Sequence, residues 1–352
     1  MEKIIFRADA SVQMGTGHVM RCLSLAEHWK NSGGEAVFVM AMNMPSLNAR
    51  LESKRMDFVK LSARPGSVED AKQTVQIAKD LSALWIILDG YDFNSSFQKV
   101  IHDSKMSLLV IDDMGSTDRY YADIVLNQNL HADKSMYVKK ENYTSLLLGT
   151  SYVLLRQEFS KWHGWKRRFP ENAQNILVTL GGSDEENITS KVVEAIQKIK
   201  SDKLKVVVIA PDNSHYEELE STIKRSKVDI QLKKDVIVMS DLMAWADLAV
   251  SAGGTSTWEL AFMGLPMLII AIADNQRQIV EELSKAGVAI NLGWHENITL
   301  FGIAKSISEL LPNANVRADM SRRAQALVDG KGADRVLAQI KRVHSRCKEE
   351  NT

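Results

Sequence analysis

Short runs of wholly apolar residues alternate along this chain with longer stretches whose apolar positions recur every three or four residues. In the first half the apolar runs predict strands at 4–8, 36–41, 58–61, 85–89, 108–112, 124–127 and 146–148. Helical spacing covers 19–30, 46–54, 68–82 and 96–104 between the early ones. Trp85-Ile86-Ile87-Leu88 and Leu108-Leu109-Val110-Ile111 are apolar throughout, as strands covered on both faces should be. The second half repeats the scheme. Strands are predicted at 176–180, 206–210, 230–233, 248–251, 267–271 and 289–292. Helices are predicted from about 188 and over 216–225, 240–246, 256–263, 277–286, 302–311 and 333–345. Serial strand–helix–strand units predict parallel sheets with helices on both faces.

The chain divides accordingly into a first domain at 1–158, a linker at 159–173, a second domain at 174–331 and a last helix at 332–352. The linker carries Lys161, Trp162, Trp165, Lys166, Arg167 and Arg168. It is too short and isolated for a nucleic-acid or membrane surface, and its tryptophans are expected to pack between the domains. Over 352 residues, Lys+Arg and Asp+Glu balance at 44 each, which removes the electrostatic case for nucleic acid or an anionic membrane as partner. The two cysteines, Cys22 and Cys347, form neither a disulfide framework nor a zinc spacing. With no apolar run near the ~18 residues that span a bilayer and a strand opening the chain, a cytoplasmic location is expected.

Chemistry gathers where strands end. The first strand runs into Arg7-Ala8-Asp9 and, through a loop, into Gly15-Thr16-Gly17-His18-Val19-Met20-Arg21-Cys22. His18 falls at a helix start, where the dipole favours a neutral imidazole able to accept a proton. Later strands end in Asp89-Gly90-Tyr91, Asp112-Asp113 and Asn127-Gln128-Asn129. A parallel sheet brings these ends to one edge, unless Asp89 and Asp112 merely cap the following helices. In the second half, Gly181-Gly182-Ser183-Asp184 follows one strand and Ala252-Gly253-Gly254-Thr255-Ser256-Thr257-Trp258-Glu259 another. Glycines and hydroxyls at a helix start suit a diphosphate, and a carboxylate suits ribose hydroxyls. Asn275 and Gln276 lie after the next strand. The alternative for the second loop is a capping box, with Ser256 as cap and Glu259 as its partner.

Together these residues resemble the UDP-sugar hydrolases of pseudaminic acid biosynthesis, which act on UDP-2,4-diacetamido-2,4,6-trideoxy-β-L-altropyranose. The likeness runs through Gly17-His18-x-x-Arg21, Asp89-Gly90-Tyr91, Asn127-Gln128-Asn129, Tyr152 with Leu154-Leu155-Arg156, Gly181 to Asp184, Ala252 to Glu259 and Asn275-Gln276. It implies a GT-B fold: α/β, two Rossmann-like domains with parallel sheets facing a cleft. The last helix would return to the first domain. The second domain would bind UDP and the first would supply the catalytic side. Water would attack the anomeric carbon with inversion, and neither a metal nor another cofactor is expected. His18 would be the catalytic histidine. Arg7, Asp9, Gly17, Arg21, Tyr91, Asn127 and Arg156 would contact the sugar. Gly182, Ser183, Met239, Gly254, Thr255, Ser256, Thr257, Glu259, Asn275 and Gln276 would contact UDP, with the helix starts after Gly182 and Gly254 stabilising the leaving diphosphate. Gly90 departs from the family, where a histidine is common, and puts the sugar preference in question. The expected partners are the UDP-sugar and UDP, with the protein a monomer. A GT-B glycosyltransferase, with an apolar, basic acceptor patch built from Met40, Met42, Met44, Leu47, Leu51 and Met56 with Arg50, Lys54 and Arg55, is the alternative. So are a hydrolase of another UDP-diamino-deoxy sugar and a non-catalytic sensor.

Overall fold

The computed structural model describes residues 1–350 except 12–14, 43, 116, 182–183, 202, 211–214 and 235, with 346–350 described as backbone only. The chain forms two compact units, Met1–Gln157 with Gly330–Thr352, and Glu158–Asp329.

The first unit holds β1 (Lys3–Ala8), α1 (Gly17–Asn31), β2 (Glu35–Met40), α2 (Pro45–Ser53), β3 (Asp57–Lys60), α3 (Val68–Asp80), β4 (Trp85–Asp89), α4 (Ser95–Asp103), β5 (Ser107–Ile111), β6 (Ile124–Asn127) and β7 (Ser145–Leu148). The strands form one sheet in the order β3-β2-β1-β4-β5-β6-β7, every pair parallel. Successive side chains leave a strand on opposite faces. Ile4, Phe6, Phe38, Trp85 and Ile87 therefore join one core cluster with α1 and α2. Ile5, Val37, Ile86 and Leu88 join the other with α3 and α4. The terminal helix α12 (Gly332–Glu350) completes the first cluster through Val336, Leu337, Ile340 and Val343. It starts hard against the chain: a Cβ on Gly332 would lie 2.2 Å from the carbonyl oxygen of Val153, so only glycine fits.

The second unit holds β8 (Asn175–Thr179), α5 (Ile188–Gln197), β9 (Lys205–Ile209), α6 (Tyr216–Lys224), β10 (Asp229–Lys233), α7 (Met239–Trp245), β11 (Leu248–Ala252), α8 (Ser256–Phe262), β12 (Met267–Ala271), α9 (Asp274–Lys285), β13 (Ala289–Trp294), α10 (Leu300–Leu310) and α11 (Ala314–Leu327). Its parallel sheet has the order β10-β9-β8-β11-β12-β13. The basic and aromatic stretch after Glu158 is built into this unit. Phe159 meets Phe262 edge-on. The buried Arg167 donates to the carbonyls of Met243, Ala246 and Met263 at the ends of α7 and α8, where a cation complements both helix dipoles.

Helix α11 is absent from the pattern reading, and its sequence explains why. Its buried face is Arg317, Met320, Ser321 and Ala324 rather than an apolar stripe. Arg317, fully buried, donates to the carbonyls of Leu310, Leu311, Pro170 and Glu171. Among the described residues, no helix is long and apolar enough to cross a membrane.

Candidate functional site

In each sheet the chain reverses direction of travel once, between β1 and β4 in the first and between β8 and β11 in the second. Beyond the carboxyl ends of the strands flanking such a point the loops diverge and leave a crevice. The first switch point carries His18. Ala8, at the end of β1, pairs with Asp89, at the end of β4. Helix α1 follows β1 and sets His18 in its first turn. The His18 Nδ1 is 2.6 Å from the buried Asp89 Oδ1. A carboxylate only accepts, so Nδ1 carries the proton, and in the neutral ring Nε2 is the acceptor. Tyr91, in the loop after β4, meets the imidazole edge-on at 4.8 Å between centroids.

One turn along α1, Arg21 is clamped by two carboxylates. Its Nε and Nη2 donate to Asp89 at 2.8 and 2.7 Å, and its Nη1 and Nη2 to Asp113 at 2.8 and 3.1 Å. Asn129 donates to Asp113 at 2.8 Å, and His131 Nε2 lies 3.3 Å from the Asp113 carbonyl oxygen. Burial pushes both carboxyls up, but the Arg21 guanidinium outweighs it: Asp89 stays below the usual carboxylate range and Asp113 falls to about 2. Burial lowers the Arg21 guanidinium, yet the two carboxylates hold it well above its ordinary value. Burial, with Asp89 3.7 Å away, raises the Cys22 thiol and leaves it a core residue. Neither aspartate is a cap of α4, whose cap is Asn94. Asp112, by contrast, is a turn residue, accepting from the amides of Met114 and Gly115 and from the Tyr120 hydroxyl.

Of the residues expected beside the sugar, the structure brings Arg21 and Tyr91 to His18, with Gly17 immediately before it. Arg7 and Asp9 go elsewhere. Arg7, fully buried, pairs with Asp70 and Asp9 at 2.7 Å each and stacks on Phe93. Asp9 also takes the amides of Ala41 and Met42. Their polar atoms hold β1, α3 and the β2 loop together. Asn127, also fully buried, donates to the Tyr137 hydroxyl and accepts from the Asn129 amide; it shapes the turn that aims Asn129 at Asp113. Arg156 is half-buried near the end of the unit, after the 150–152 turn. Asp113 and Asn129 were not singled out from sequence. Their signal was position alone, after the ends of the neighbouring strands β5 and β6 at the same edge.

The second switch point is made of glycine and hydroxyl groups. Gly182 and Ser183 lie outside the described residues. The start of α5 that follows them is already occupied: Asp184 accepts from the amides of Ile188 and Thr189 at 2.8 and 2.7 Å. Its carboxylate takes the place foreseen there for a phosphate. After β11, the capping box is not formed. Thr255, not Ser256, is the residue before α8, and it makes no side-chain cap bond. Thr257 is buried and donates to the Gly254 carbonyl at 2.6 Å. The two glycines differ. A Cβ on Gly253 would lie 2.4 Å from Val280 Cγ2, so packing of α9 requires it. Among the described residues a Cβ on Gly254 would meet only Gln276 Nε2 at 3.9 Å, so none of them requires that glycine. The Gln276 side-chain oxygen accepts from the Ile272 amide at 3.1 Å and closes the loop before α9. Asn275 is half-buried beside it, Glu259 is buried in α8, and Met239 is buried at the start of α7.

Residues 175–336 match the glycosyltransferase family 28 C-terminal domain. An uncharacterized protein of Methanocaldococcus jannaschii is 29% identical over 80% of the chain, which spans only 58% of that relative's own length. The spore coat polysaccharide biosynthesis protein SpsG of Bacillus subtilis is 24% identical over 94% of the chain and 95% of its own length. The UDP-2,4-diacetamido-2,4,6-trideoxy-beta-L-altropyranose hydrolase of Campylobacter jejuni is 24% identical over 82% of the chain and 98% of its own length. MurG of Acinetobacter baumannii superposes over 97% of the chain with a TM-score of 0.68 at 14% identity. The fold is of the GT-B type.

Proposed function

We propose that the chain is a UDP-sugar hydrolase acting on UDP-2,4-diacetamido-2,4,6-trideoxy-β-L-altropyranose, or on a UDP-diamino-deoxy sugar close to it. The observation that carries this reading is the His18–Asp89 pair at the first switch point. Asp89 fixes the imidazole tautomer and leaves Nε2 to take a proton from water. The water oxygen forms a bond to the anomeric carbon, on the face opposite the diphosphate. The bond from that carbon to the diphosphate oxygen breaks, its electron pair leaves with UDP, and the configuration inverts. Arg21 holds Asp89 and Tyr91 flanks the ring, so the base is oriented before substrate arrives. The nucleotide is assigned to the second switch point. Backbone at Gly254 and the hydroxyls of Thr255 and Ser256 would meet the diphosphate, and Glu259 the ribose. The open space before Gly254 supports this, because among the described residues no packing contact accounts for a glycine there. The similarity to the Campylobacter jejuni hydrolase over 98% of that protein's length supports the substrate class.

The match of 175–336 to a glycosyltransferase domain favours a second reading, transfer to an acceptor. Against it, Met40, Met44, Leu47, Leu51 and Met56 are buried in the core of the first unit. Of the suggested acceptor patch Met42 and Arg55 are exposed, with Arg50 and Lys54 half-buried, so its apolar part does not form a surface. The test is UDP release from the altropyranose substrate in ¹⁸O-labelled water with no acceptor present. Release with inversion, label on the sugar and loss of turnover in His18→Asn would support hydrolysis. Binding without release would turn the reading to transfer, and a faster reaction with another UDP-diamino sugar would move the substrate.

A further inference from the structure

We propose that Asp113 sets the basicity of His18 without touching it. By drawing on Arg21 it leaves the negative charge of Asp89 to the imidazole, which makes it a positioning residue for the base. The inference rests on the hydrolase reading only for its catalytic meaning.

The geometry is a chain of three charges and one imidazole. The four hydrogen bonds of Arg21 divide evenly, two to Asp89 and two to Asp113. Asp89 Oδ1 is shared by Arg21 Nη2 and His18 Nδ1. With a neutral imidazole the cluster sums to one negative charge; with an imidazolium it sums to zero. One guanidinium needs one carboxylate. A second one, nearly buried and held ionised by Arg21, leaves the cluster with one negative charge in excess. A proton on His18 balances it. Were Asp113 neutral, Arg21 and Asp89 would cancel, and the imidazolium would form beside no net charge.

Asp113 is built to stay ionised and in place. It lies in the loop after β5, takes Asn129 Nδ2 at 2.8 Å, and has its backbone carbonyl beside His131 Nε2. Among the described residues, the charged and titratable groups around His18 are Arg21 and Cys22 from α1, Asp89 from the end of β4, Tyr91 from the loop after it and Asp113 from the loop after β5. Asp9, at the end of β1, is committed to Arg7. Residues 12–14, whose structure is not described, are Val, Gln and Met and bring no charge.

The test is the titration midpoint of His18, read by long-range ¹H–¹⁵N NMR on the full chain without substrate. A charge lost behind Arg21, at an effective dielectric of about 20, should lower the midpoint by about one pH unit in Asp113→Asn and Asp113→Ala. Asp113→Glu should restore it. The acid limb of the kcat/KM profile should move down with the midpoint. An unchanged midpoint in either folded variant would overturn the proposal. So would loss of a cooperative thermal transition in both, which would make Asp113 a structural ion-pair partner. If no UDP-sugar were hydrolysed, the function would be wrong and the midpoint shift would stand. Turnover with no shift would remove this inference alone.

Discussion

Replacing Asp89 by asparagine tests the site most sharply. The carboxylate is fully buried and serves three nitrogen donors, His18 Nδ1 at 2.6 Å and Arg21 Nη2 and Nε at 2.7 and 2.8 Å, besides the Cys22 thiol at 3.7 Å. Asparagine offers one acceptor oxygen and an amide that only donates. With its oxygen toward His18, the amide opposes Arg21 Nε. With its oxygen toward Nε, the amide faces Nδ1 and drives the proton to Nε2, where the ring cannot act as base. A carboxylate-to-amide change behind a catalytic imidazole is expected to lower kcat by about 10²–10⁴, or roughly 3–5 kcal/mol of barrier.

The stability cost should be smaller than for an ordinary broken buried pair, which is about 3–5 kcal/mol because a charge is left alone. Here Arg21 keeps Asp113. The loss is then that of charge-assisted hydrogen bonds, about 2 kcal/mol, or a fall of about 4–8 °C in Tm. Asp113→Asn is the matched control. It should cost similar stability but less than about tenfold in kcat near pH 8, because the His18–Asp89 bond survives. Turnover is measured as UDP release, stability by thermal unfolding, and UDP affinity by calorimetry. Affinity should stay within about twofold in both variants, since the loops proposed for the nucleotide belong to the other unit. An Asp89→Asn enzyme within threefold of wild-type kcat would refute the assignment of Asp89 as the group that orients the base.

Three further outcomes follow from the same geometry. The Asp113 carboxyl, at about 2 against an ordinary 3.8, is depressed in the folded chain. At ~1.4 kcal/mol per unit it contributes roughly 2–3 kcal/mol above about pH 5, lost as pH falls through 3.8 toward 2; acid unfolding of Asp113→Asn should lack that component. The two glycines after β11 should separate: Gly253→Ala, with Val280 2.4 Å from the new Cβ, should lose about 1–3 kcal/mol of stability. Gly254→Ala should keep its Tm and lose tenfold or more in UDP affinity, and an unchanged affinity would remove Gly254 from the nucleotide site. Arg317→Ala should cost about 2–3 kcal/mol in thermal unfolding, because a fully buried side chain that ties four carbonyls together is removed.

The fold was legible where burial is two-sided, because strands such as Trp85–Asp89 then carry no polar interruption. It was not legible in α11, whose inward face relies on Arg317 and small residues. Periodicity detects apolar stripes, and a helix anchored by a guanidinium among carbonyls has none. The convergence of His18, Asp89 and Tyr91 was legible from topology alone, because parallel strands send their carboxyl ends to one edge. Which polar residues at that edge meet was not. Arg7 and Asp9 lie at the end of the same strand but are taken up by each other, Arg7 also by Asp70, a residue of α3 that no strand-end argument reaches.

The pair Asp112-Asp113 shows the limit in its simplest form. Adjacent acids look alike in sequence, yet one side of a loop faces its own backbone and the other faces a neighbouring element. Asp112 closes a turn on Met114 and Gly115, while Asp113 reaches across two strands to Arg21. Asp184 closes the start of α5, which a glycine-rich approach had suggested for a phosphate. The two switch points therefore differ in kind. The first concentrates charge around one imidazole and suits proton transfer. The second has one helix start filled by its own carboxylate, which leaves the Gly254 loop as the place where backbone stands open to an anion. Gly253→Ala and Gly254→Ala, two adjacent changes of one methyl each, test that division directly.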